Sequence, residues 1–231
     1  MSQANPVFEK NYSYYLDEIA KVDFGAVKDT LACRVDGDQL VVPFFGREYR
    51  VSRYGITDNA NRKPAYVICV ILAKYILRCP ARDAADDGWV SFKDFKTTSH
   101  FTNINYFASD TEQAIVKGFS GRLAELAEAC RQTGGVPHDA DMPYDLSVRF
   151  EALPRVSLLL LFNDRDDEFP AGCTMLFNRP AESYLDPESL AMTGSFLADT
   201  VFMHRVTGGI WEGTVFVNLG EPPDSSSRLM A

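Results

Sequence analysis

Residues 150–178 read FEALPRVSLLLLFNDRDDEFPAGCTMLFN, and this stretch decides the fold of the chain. It contains an apolar run from Ser157 to Phe162 with four consecutive leucines, then a loop with four acidic residues, then a second apolar run. A continuous apolar run between turn residues is typical of a strand that is buried on both faces. The stretch therefore predicts a buried strand that emerges at a sheet edge and turns back into a neighbouring strand.

The residues before this stretch predict helices and strands in separate groups. An apolar stripe at steps of three and four predicts a helix over residues 6–22, and a short second helix follows over residues 24–31. Period-two alternation with an Asp-Gly turn signal predicts a meander of strands over residues 35–51. The apolar segment 65–77 predicts a buried helix, and residues 89–95 predict a short strand.

The rest of the chain adds three more helices. Two are predicted over residues 112–119 and 123–130, where apolar residues again recur at helical spacing. The third begins at Asp186, whose side chain is expected to cap it, and runs to about Val206. Residues 210–219 predict a final strand.

Helices at the front, middle and end of the chain, with strands clustered between them, indicate the α+β class. We expect a single domain over residues 7–220 with a mixed or largely antiparallel sheet. The N-terminal, central and C-terminal helices would pack against that sheet. Residues 221–231 are polar and predict a flexible C-terminal tail.

Composition and charge exclude several classes of partner. The chain has 231 residues, a formal net charge of −9 and a pI of about 4.8. Nucleic acids and anionic membranes both require a basic surface, so neither is expected as a partner. The N-terminus lacks the basic and apolar regions of a secretory signal. We therefore expect a cytoplasmic protein, either a monomer or a homodimer.

The cysteines predict no metal or cluster site. There are five, they are widely spread, and no two are separated by only two residues. Neither a zinc site nor an iron–sulfur site has this spacing. Scattered single cysteines behave mostly as small apolar side chains in a reducing compartment. No cofactor is predicted from the sequence.

The acidic loop after the apolar run is a candidate metal site. Asp164, Asp166 and Glu168 alternate as ligands do in the first half of an EF-hand loop. The sixth position from Asp164 is Phe169 rather than Gly, and the twelfth is Met175 rather than Glu, so the EF-hand interpretation fails. The preferred interpretation is a solvated strand connection, with Phe169 anchoring the loop onto the core.

Arg47 and Tyr49 are the leading candidates for ligand recognition. Strand alternation places them on one face and Glu48 with Arg50 on the other. An arginine beside aromatic residues such as Tyr49 and Trp89 at a sheet rim is suited to a carboxylate or phosphate. The competing interpretation, which the sequence favours, is an arginine–carboxylate pair that holds the N-terminal meander onto the sheet. Asp167 and Glu168 of the acidic loop complete the set of candidate binding residues.

No catalytic residue can be assigned from the sequence. The three histidines, His100, His138 and His204, are separated by 38 and 66 residues and form no zinc-binding motif. His204 falls near the end of the last predicted helix, where a charged imidazole would interact favourably with the helix dipole. Gly-rich phosphate loops and nucleophile motifs are also absent from the sequence.

Five short motifs, in order, carry a resemblance to a known family. They are VPFFGREYRV (42–51), GWVSF (88–92), LPRV (153–156), DEFP (167–170) and YL (184–185). The chain resembles an uncharacterised bacterial and archaeal domain-of-unknown-function family, the one numbered 3786, over about residues 8–206. The resemblance implies no established activity. Some relatives carry an additional iron–sulfur segment and occur in anaerobes with one-carbon metabolism, but this chain lacks the cysteine cluster of that segment.

Two hypotheses about function follow. The leading one is a non-catalytic accessory or small-ligand-binding domain, with an unknown small molecule or protein as its partner. The resemblance links such a domain to anaerobic redox or one-carbon metabolism. The alternative is a metal-dependent hydrolase or transferase that uses the acidic loop 164–168.

Overall fold

A computed structural model describes residues 6–83, 88–95, 107, 111–139 and 143–207. The helices are α1 (Pro6–Ile19), α2 (Phe24–Val27), α3 (Tyr66–Leu77), α4 (Gln113–Phe119), α5 (Leu123–Gln132), α6 (Ala181–Tyr184) and α7 (Pro187–Thr207). The strands are β1 (Arg34–Asp36), β2 (Gln39–Phe44), β3 (Arg47–Ser52), β4 (Gly55–Thr57), β5 (Trp89–Ser91), β6 (Val136–Pro137), β7 (Leu146–Leu153), β8 (Val156–Asn163) and β9 (Gly172–Asn178). The predicted final strand over 210–219 and the predicted tail lie outside the described residues.

The described strands form two antiparallel sheets. The smaller sheet is a meander in the order β1-β2-β3-β4, and the larger sheet has the order β5-β9-β8-β7-β6. The predicted α+β class is confirmed, and the strands predicted for one sheet divide between two. Among the described strands, β2 and β3 pair with each other and with β1 and β4, whereas β8 pairs with β7 and β9.

Strand β8 lies at the centre of the larger sheet, as the leucine run predicts. Every residue from Val156 to Phe162 is buried, and only Asn163 at its end is exposed. Leu158 and Leu160 pair with Phe177 and Met175 of β9. Burial on both faces explains why this strand shows a continuous apolar run instead of alternation.

The smaller sheet alternates between a buried and an outer face. Tyr49 is buried against the core, whereas Arg50 of β3 forms an ion pair with Asp36 of β1 at 2.9 Å. Glu48, also on the outer face, accepts two hydrogen bonds from Arg34 of β1 at 3.1 and 3.2 Å. The predicted alternation along residues 47–51 is therefore confirmed, and the outer-face arginines pair with carboxylates within the meander.

The turn between β2 and β3 fixes the position of Arg47. Phe45 and Gly46 have φ angles of 45° and 73°, so both central residues are left-handed, as a type I′ hairpin turn requires. The backbone N–H of Phe45 donates to the Ala152 carbonyl of β7 at 2.9 Å, and the Phe45 ring stacks on Phe196 of α7. These contacts attach the hairpin tip to the larger sheet and to α7.

Helices α3 and α7 pack against each other, and both contribute to the hydrophobic core. Most of α3 is buried, and α3 packs against both α1 and α7. Helix α7 is capped by Asp186, whose Oδ1 accepts from the N–H of Ser189 at 2.9 Å, and Lys74 of α3 pairs with the same carboxylate at 3.0 Å. The predicted cap is confirmed. Among the described helices, none combines the length and the apolar character that crossing a bilayer requires.

The glycine after α5 allows a close approach to the larger sheet. A Cβ atom at Gly135 would lie 2.5 Å from Val148, 2.7 Å from Phe150 and 2.9 Å from the Cys130 carbonyl oxygen. Gly135→Ala is expected to lower the free energy of unfolding by about 1–3 kcal/mol, because one of these contacts is backbone that cannot swing aside. Urea denaturation measures the change. Gly172→Ala is the control: it has no atom within 4 Å and is expected to be neutral or slightly stabilising. Equal losses in both variants would contradict the packing shown.

Candidate functional site

Arg47 and Tyr49 line two neighbouring cavities. The larger, which we call the outer cleft, has a volume of about 680 Å³ and lies between the start of β3 and the segment that leads into α3. Its lining consists of residues 46–49, 58–60, 62–65 and Ile68. A volume of this size falls in the range of about 300–1,000 Å³ that is usual for small-molecule sites.

A turn closed by Asp58 builds one wall of the outer cleft. Its Oδ1 atom accepts hydrogen bonds from the backbone N–H of Ala60 at 2.8 Å and of Arg62 at 2.9 Å. The N–H of Arg62 contributes most to holding the pKa of the Asp58 carboxyl below its usual value. Asn61, at φ 58°, completes the turn in the left-handed region that Asn tolerates. The wall is thus fixed by local hydrogen bonds.

Ion pairs organise the other charges along the cleft. The Arg62 Nε atom lies 3.0 Å from Asp58 Oδ2, and Lys63 Nζ lies 2.9 Å from Glu9 Oε1 of α1. The Lys63 ammonium also lies over the Tyr12 ring, 3.9 Å from its centroid. The contacts of Lys63 attach the segment before α3 to the N-terminal helix.

Arg47 is at the junction between the two cavities and is accessible to solvent. Partial desolvation lowers the pKa of its guanidinium, with Tyr49 and Asp58 acting in the opposite direction. An arginine remains charged under these conditions, because its ordinary pKa is above about 12. Tyr49 is buried beside it, and burial raises the pKa of the phenol. The junction therefore places a positive charge next to a neutral aromatic hydroxyl.

The smaller cavity, which we call the inner cavity, has a volume of about 70 Å³ and lies between the hairpin tip, the end of α5 and α7. Its walls are largely aromatic: the Phe196 ring lies 4.9 Å from Phe44 and 5.3 Å from Phe45, measured between centroids. Its polar lining residues are Arg47, Tyr49, Gln132, Thr133, Thr200 and His204. The β2–β3 hairpin, the end of α5 and helix α7 are distant in sequence, and together they line this one small cavity with aromatic and polar side chains.

Two residues that line the inner cavity each have a buried polar atom without a hydrogen-bond partner among the described residues. The atoms are Gln132 Oε1 and His204 Nδ1. Burial lowers the pKa of His204, and the charge of Arg47 lowers it further. His204 lies in the last turn of α7, as expected, and these two effects favour its neutral imidazole. Such orphaned atoms need either ordered water or a ligand.

The other predicted binding residues lie elsewhere. Trp89 is on β5, where its ring contacts His138 edge-on at 5.6 Å between centroids. Asp167 and Glu168 are exposed in the connection between β8 and β9. None of these three lines the outer cleft or the inner cavity. The structure therefore brings together Arg47 and Tyr49 and leaves the remainder of the predicted set apart.

The acidic loop is a folded strand connection. Asp164 Oδ1 accepts from the Gly121 N–H at 2.6 Å, and Asp166 Oδ1 accepts from the N–H groups of Glu168 and Phe169. The hydrogen bond from Phe169 contributes most to lowering the pKa of Asp166. Phe169 itself is 66% exposed, so its predicted anchoring role is wrong, and Asp164 attaches the loop instead. Within the described ranges, no three His, Cys, Asp or Glu side chains are grouped to hold a metal ion.

Sequence reasoning missed the residues of α5 and α7 that complete the inner cavity. Thr200 and His204 are four residues apart, which places both on one face of α7. That spacing was the only sequence signal for the pair. Gln132 and Thr133 gave no signal, because their proximity to β3 depends on how α5 packs.

Comparison with known proteins identifies the family. A family model described as Domain of unknown function (DUF3786) matches residues 23–200, which is more than half of the chain. This span contains the β2–β3 hairpin, the cleft wall and the end of α5, while His204 lies beyond it. Neither the curated proteins nor the solved structures gave a match. The resemblance expected from the sequence motifs is confirmed, and the chain belongs to the DUF3786 family of unknown function.

Proposed function

We propose that this chain is a non-catalytic domain that binds a small anionic ligand in the outer cleft. Arg47 holds the carboxylate or phosphate of that ligand. One observation carries the proposal: Arg47 lines both the outer cleft and the inner cavity at an accessible rim. A guanidinium is suited to this role because its planar fork matches the oxygens of carboxylate and phosphate groups.

Binding is favoured over catalysis by the lining of the outer cleft. The described residues of the lining include no Ser, Cys or His that would serve as a nucleophile or as its base. Its two carboxylates are engaged, Glu48 with Arg34 and Asp58 with its own turn. We also do not retain the metal-dependent alternative, because Asp164 and Asp166 of the acidic loop accept backbone hydrogen bonds in local turns.

The proposal also covers the kind of partner, a small anion, and the cellular location, the cytoplasm. The net charge of −9 disfavours a nucleic acid bound over a broad surface, so the proposed anion binds at one local positive group, Arg47. Five free cysteines support a reducing compartment such as the cytoplasm. We further propose a monomer or a homodimer. A connection to anaerobic redox or one-carbon metabolism rests on the family resemblance.

Thermal denaturation with a panel of anions tests the proposal. The panel contains acetate, succinate, citrate, inorganic phosphate and adenosine monophosphate. A compound that binds only the folded protein raises its apparent stability by about 2.7 kcal/mol at 100 times Kd. We expect at least one panel compound to stabilise the wild type and to lose this effect in Arg47→Gln, because the ligand then lacks its charged partner.

Arg50→Gln is the matched control. Arg50 is on the same strand as Arg47 but on the outer face, where it pairs with Asp36. The control should keep the full response to the stabilising compound. Stabilisation that persists in Arg47→Gln, or that disappears equally in both variants, would contradict the proposed site.

A further inference from the structure

A third cavity, which we call the edge pocket, lies along the outer edge of β7. Strand β6 has only two residues and pairs with β7 at Val148 and Arg149, so among the described strands none covers this edge from Phe150 onward. The next contact on the edge is the hydrogen bond from the Phe45 N–H of the hairpin tip to the Ala152 carbonyl, at 2.9 Å. The edge pocket occupies the gap between these two contacts and has a volume of about 270 Å³.

Most of the side chains that line the edge pocket are apolar. The lining consists of residues 43, 45 and 46 of the hairpin, 133 and 134 after α5, and 150–153 of β7. Pro43 and Phe45 are half-buried, and Phe150 and Leu153 are buried. One water occupies about 30 Å³ of liquid, so the pocket has room for a small organic molecule of up to about nine non-hydrogen atoms.

Glu151 is the charged residue of this lining. Its side chain is exposed, and it forms no hydrogen bond or ion pair with the residues that the structure describes. Arg149, two residues earlier on the same strand, donates instead to the Ser157 hydroxyl of β8 at 3.5 Å. The edge pocket therefore has one carboxylate, and none of its lining residues is a Lys, Arg or His.

The end of α5 adds to the negative potential. Thr133 is the C-cap of this ten-residue helix, and the C-terminal end of a helix carries about half a negative elementary charge. The donors at this end are already engaged, because the Thr133 hydroxyl donates to the Ala129 carbonyl at 2.8 Å and the Gly134 N–H donates to the Arg131 carbonyl at 3.1 Å. An anion would consequently meet two negative groups, whereas a cation is favoured by both.

We propose that the edge pocket binds a small organic cation, a primary alkylammonium. The ammonium group lies beside Glu151, and the alkyl chain packs against Pro43 and Phe45. A bare calcium ion is a poor alternative, because it requires six to eight oxygen ligands and the lining offers one carboxylate. The inference goes beyond the proposed function and does not depend on it, since Arg47 lines the other two cavities but not this one.

A matched pair of probes tests the proposal. n-Butylamine is protonated at neutral pH, and 1-butanol has the same chain without the charge. Both are titrated into the ¹⁵N-labelled protein, and the amide signals of Gly46 and Gly134, on two different walls of the pocket, report binding. We expect both signals to shift saturably, with butylammonium binding at least about fivefold more tightly than 1-butanol. Fivefold is about 1 kcal/mol, the upper end for an exposed ion pair.

Glu151→Gln keeps the shape of the side chain and removes its charge. Butylammonium should then bind about fivefold more weakly, and its preference over 1-butanol should fall by the same factor. Asp38→Asn is the matched control, because it changes the net charge by the same amount. Asp38 is exposed at the β1–β2 turn and lines none of the three cavities, so this variant should keep the wild-type affinity.

The absence of a saturable shift at Gly46 and Gly134, or equal affinities for butylammonium and 1-butanol, would overturn the inference. Wild-type affinity in Glu151→Gln, or an equal loss in Asp38→Asn, would overturn it as well. The result is separate from that of the anion panel: Arg47→Gln should retain butylammonium binding, so either site can fail without the other.

Discussion

Leu160→Ala is expected to lower the free energy of unfolding by about 2–5 kcal/mol, the largest change among the variants considered. Leu160 is fully buried at the centre of β8, the middle strand of the larger sheet. Alanine removes three carbon atoms and leaves a cavity against Met175, its partner on β9. A loss of this size is a large fraction of the stability of an ordinary domain. Urea denaturation followed by far-UV circular dichroism gives the value.

Val136→Ala is the matched control in the same sheet. Val136 is on the short edge strand β6 and is 55% exposed, so its truncation removes little buried surface. We expect a change within about 0.5 kcal/mol. If the two variants lose similar stability, β8 is not the central strand of the core.

Asn178→Leu is expected to cost about 2–4 kcal/mol, the second largest effect. The buried Asn178 side chain accepts from the Ser157 N–H at 2.9 Å and donates to the Arg155 carbonyl at 3.2 Å. Leucine has a similar volume but forms neither hydrogen bond, so the Ser157 N–H and the Arg155 carbonyl both lose this partner. Each buried backbone group left without a partner costs about 1–3 kcal/mol. Equilibrium urea denaturation again measures the loss.

The control for this variant is Asn163→Leu. Asn163 is at the end of β8, whereas Asn178 bonds to Ser157 near the start of β8. Asn163 also accepts a backbone hydrogen bond, from Asp145 at 3.2 Å, but it is exposed to water. Water replaces that bond, so we expect a loss below about 1 kcal/mol. Equal losses at positions 163 and 178 would show that the Asn178 bonds are not buried as described.

The family motif LPRV has a structural explanation in the same region. Arg155 Nε donates to the Thr30 carbonyl at 3.0 Å, and its guanidinium lies 3.0 Å from an oxygen of Asp83. Asn178 holds the carbonyl of the same arginine. The motif thus attaches the β7–β8 turn to the chain before β1 and to the end of β9. Its arginine fixes the scaffold, whereas Arg47, in the hairpin motif, faces the cavities.

The parts of the fold that the sequence predicted are those with a strong local pattern. The leucine run at 158–161 has no polar position, and only a strand covered on both faces suits such a run. Period-two alternation placed Arg47 and Tyr49 on one face of β3, and both line the same cavities. Asp186 predicted the start of α7 because capping depends on residues that are adjacent in sequence.

The parts that were not predicted depend on contacts between distant segments. Trp89 was grouped with Arg47, but β5 joins the larger sheet through β9, and no local pattern reports which sheet a short strand joins. Phe169 was expected to be buried because it is apolar, yet the hydrogen bonds of Asp164 and Asp166 already fix the loop. The inner cavity requires α5 and α7 to converge on the hairpin tip, and their separate sequences do not contain that information.

The central claim is that Arg47 marks a binding site for a small anion. Diffraction from wild-type crystals soaked with the panel compound that stabilises the protein most tests this claim directly. The account predicts ligand density in the outer cleft, with an anionic oxygen about 2.7–3.2 Å from the Arg47 guanidinium. Ligand density at another place on the surface, with only solvent beside Arg47, would contradict it.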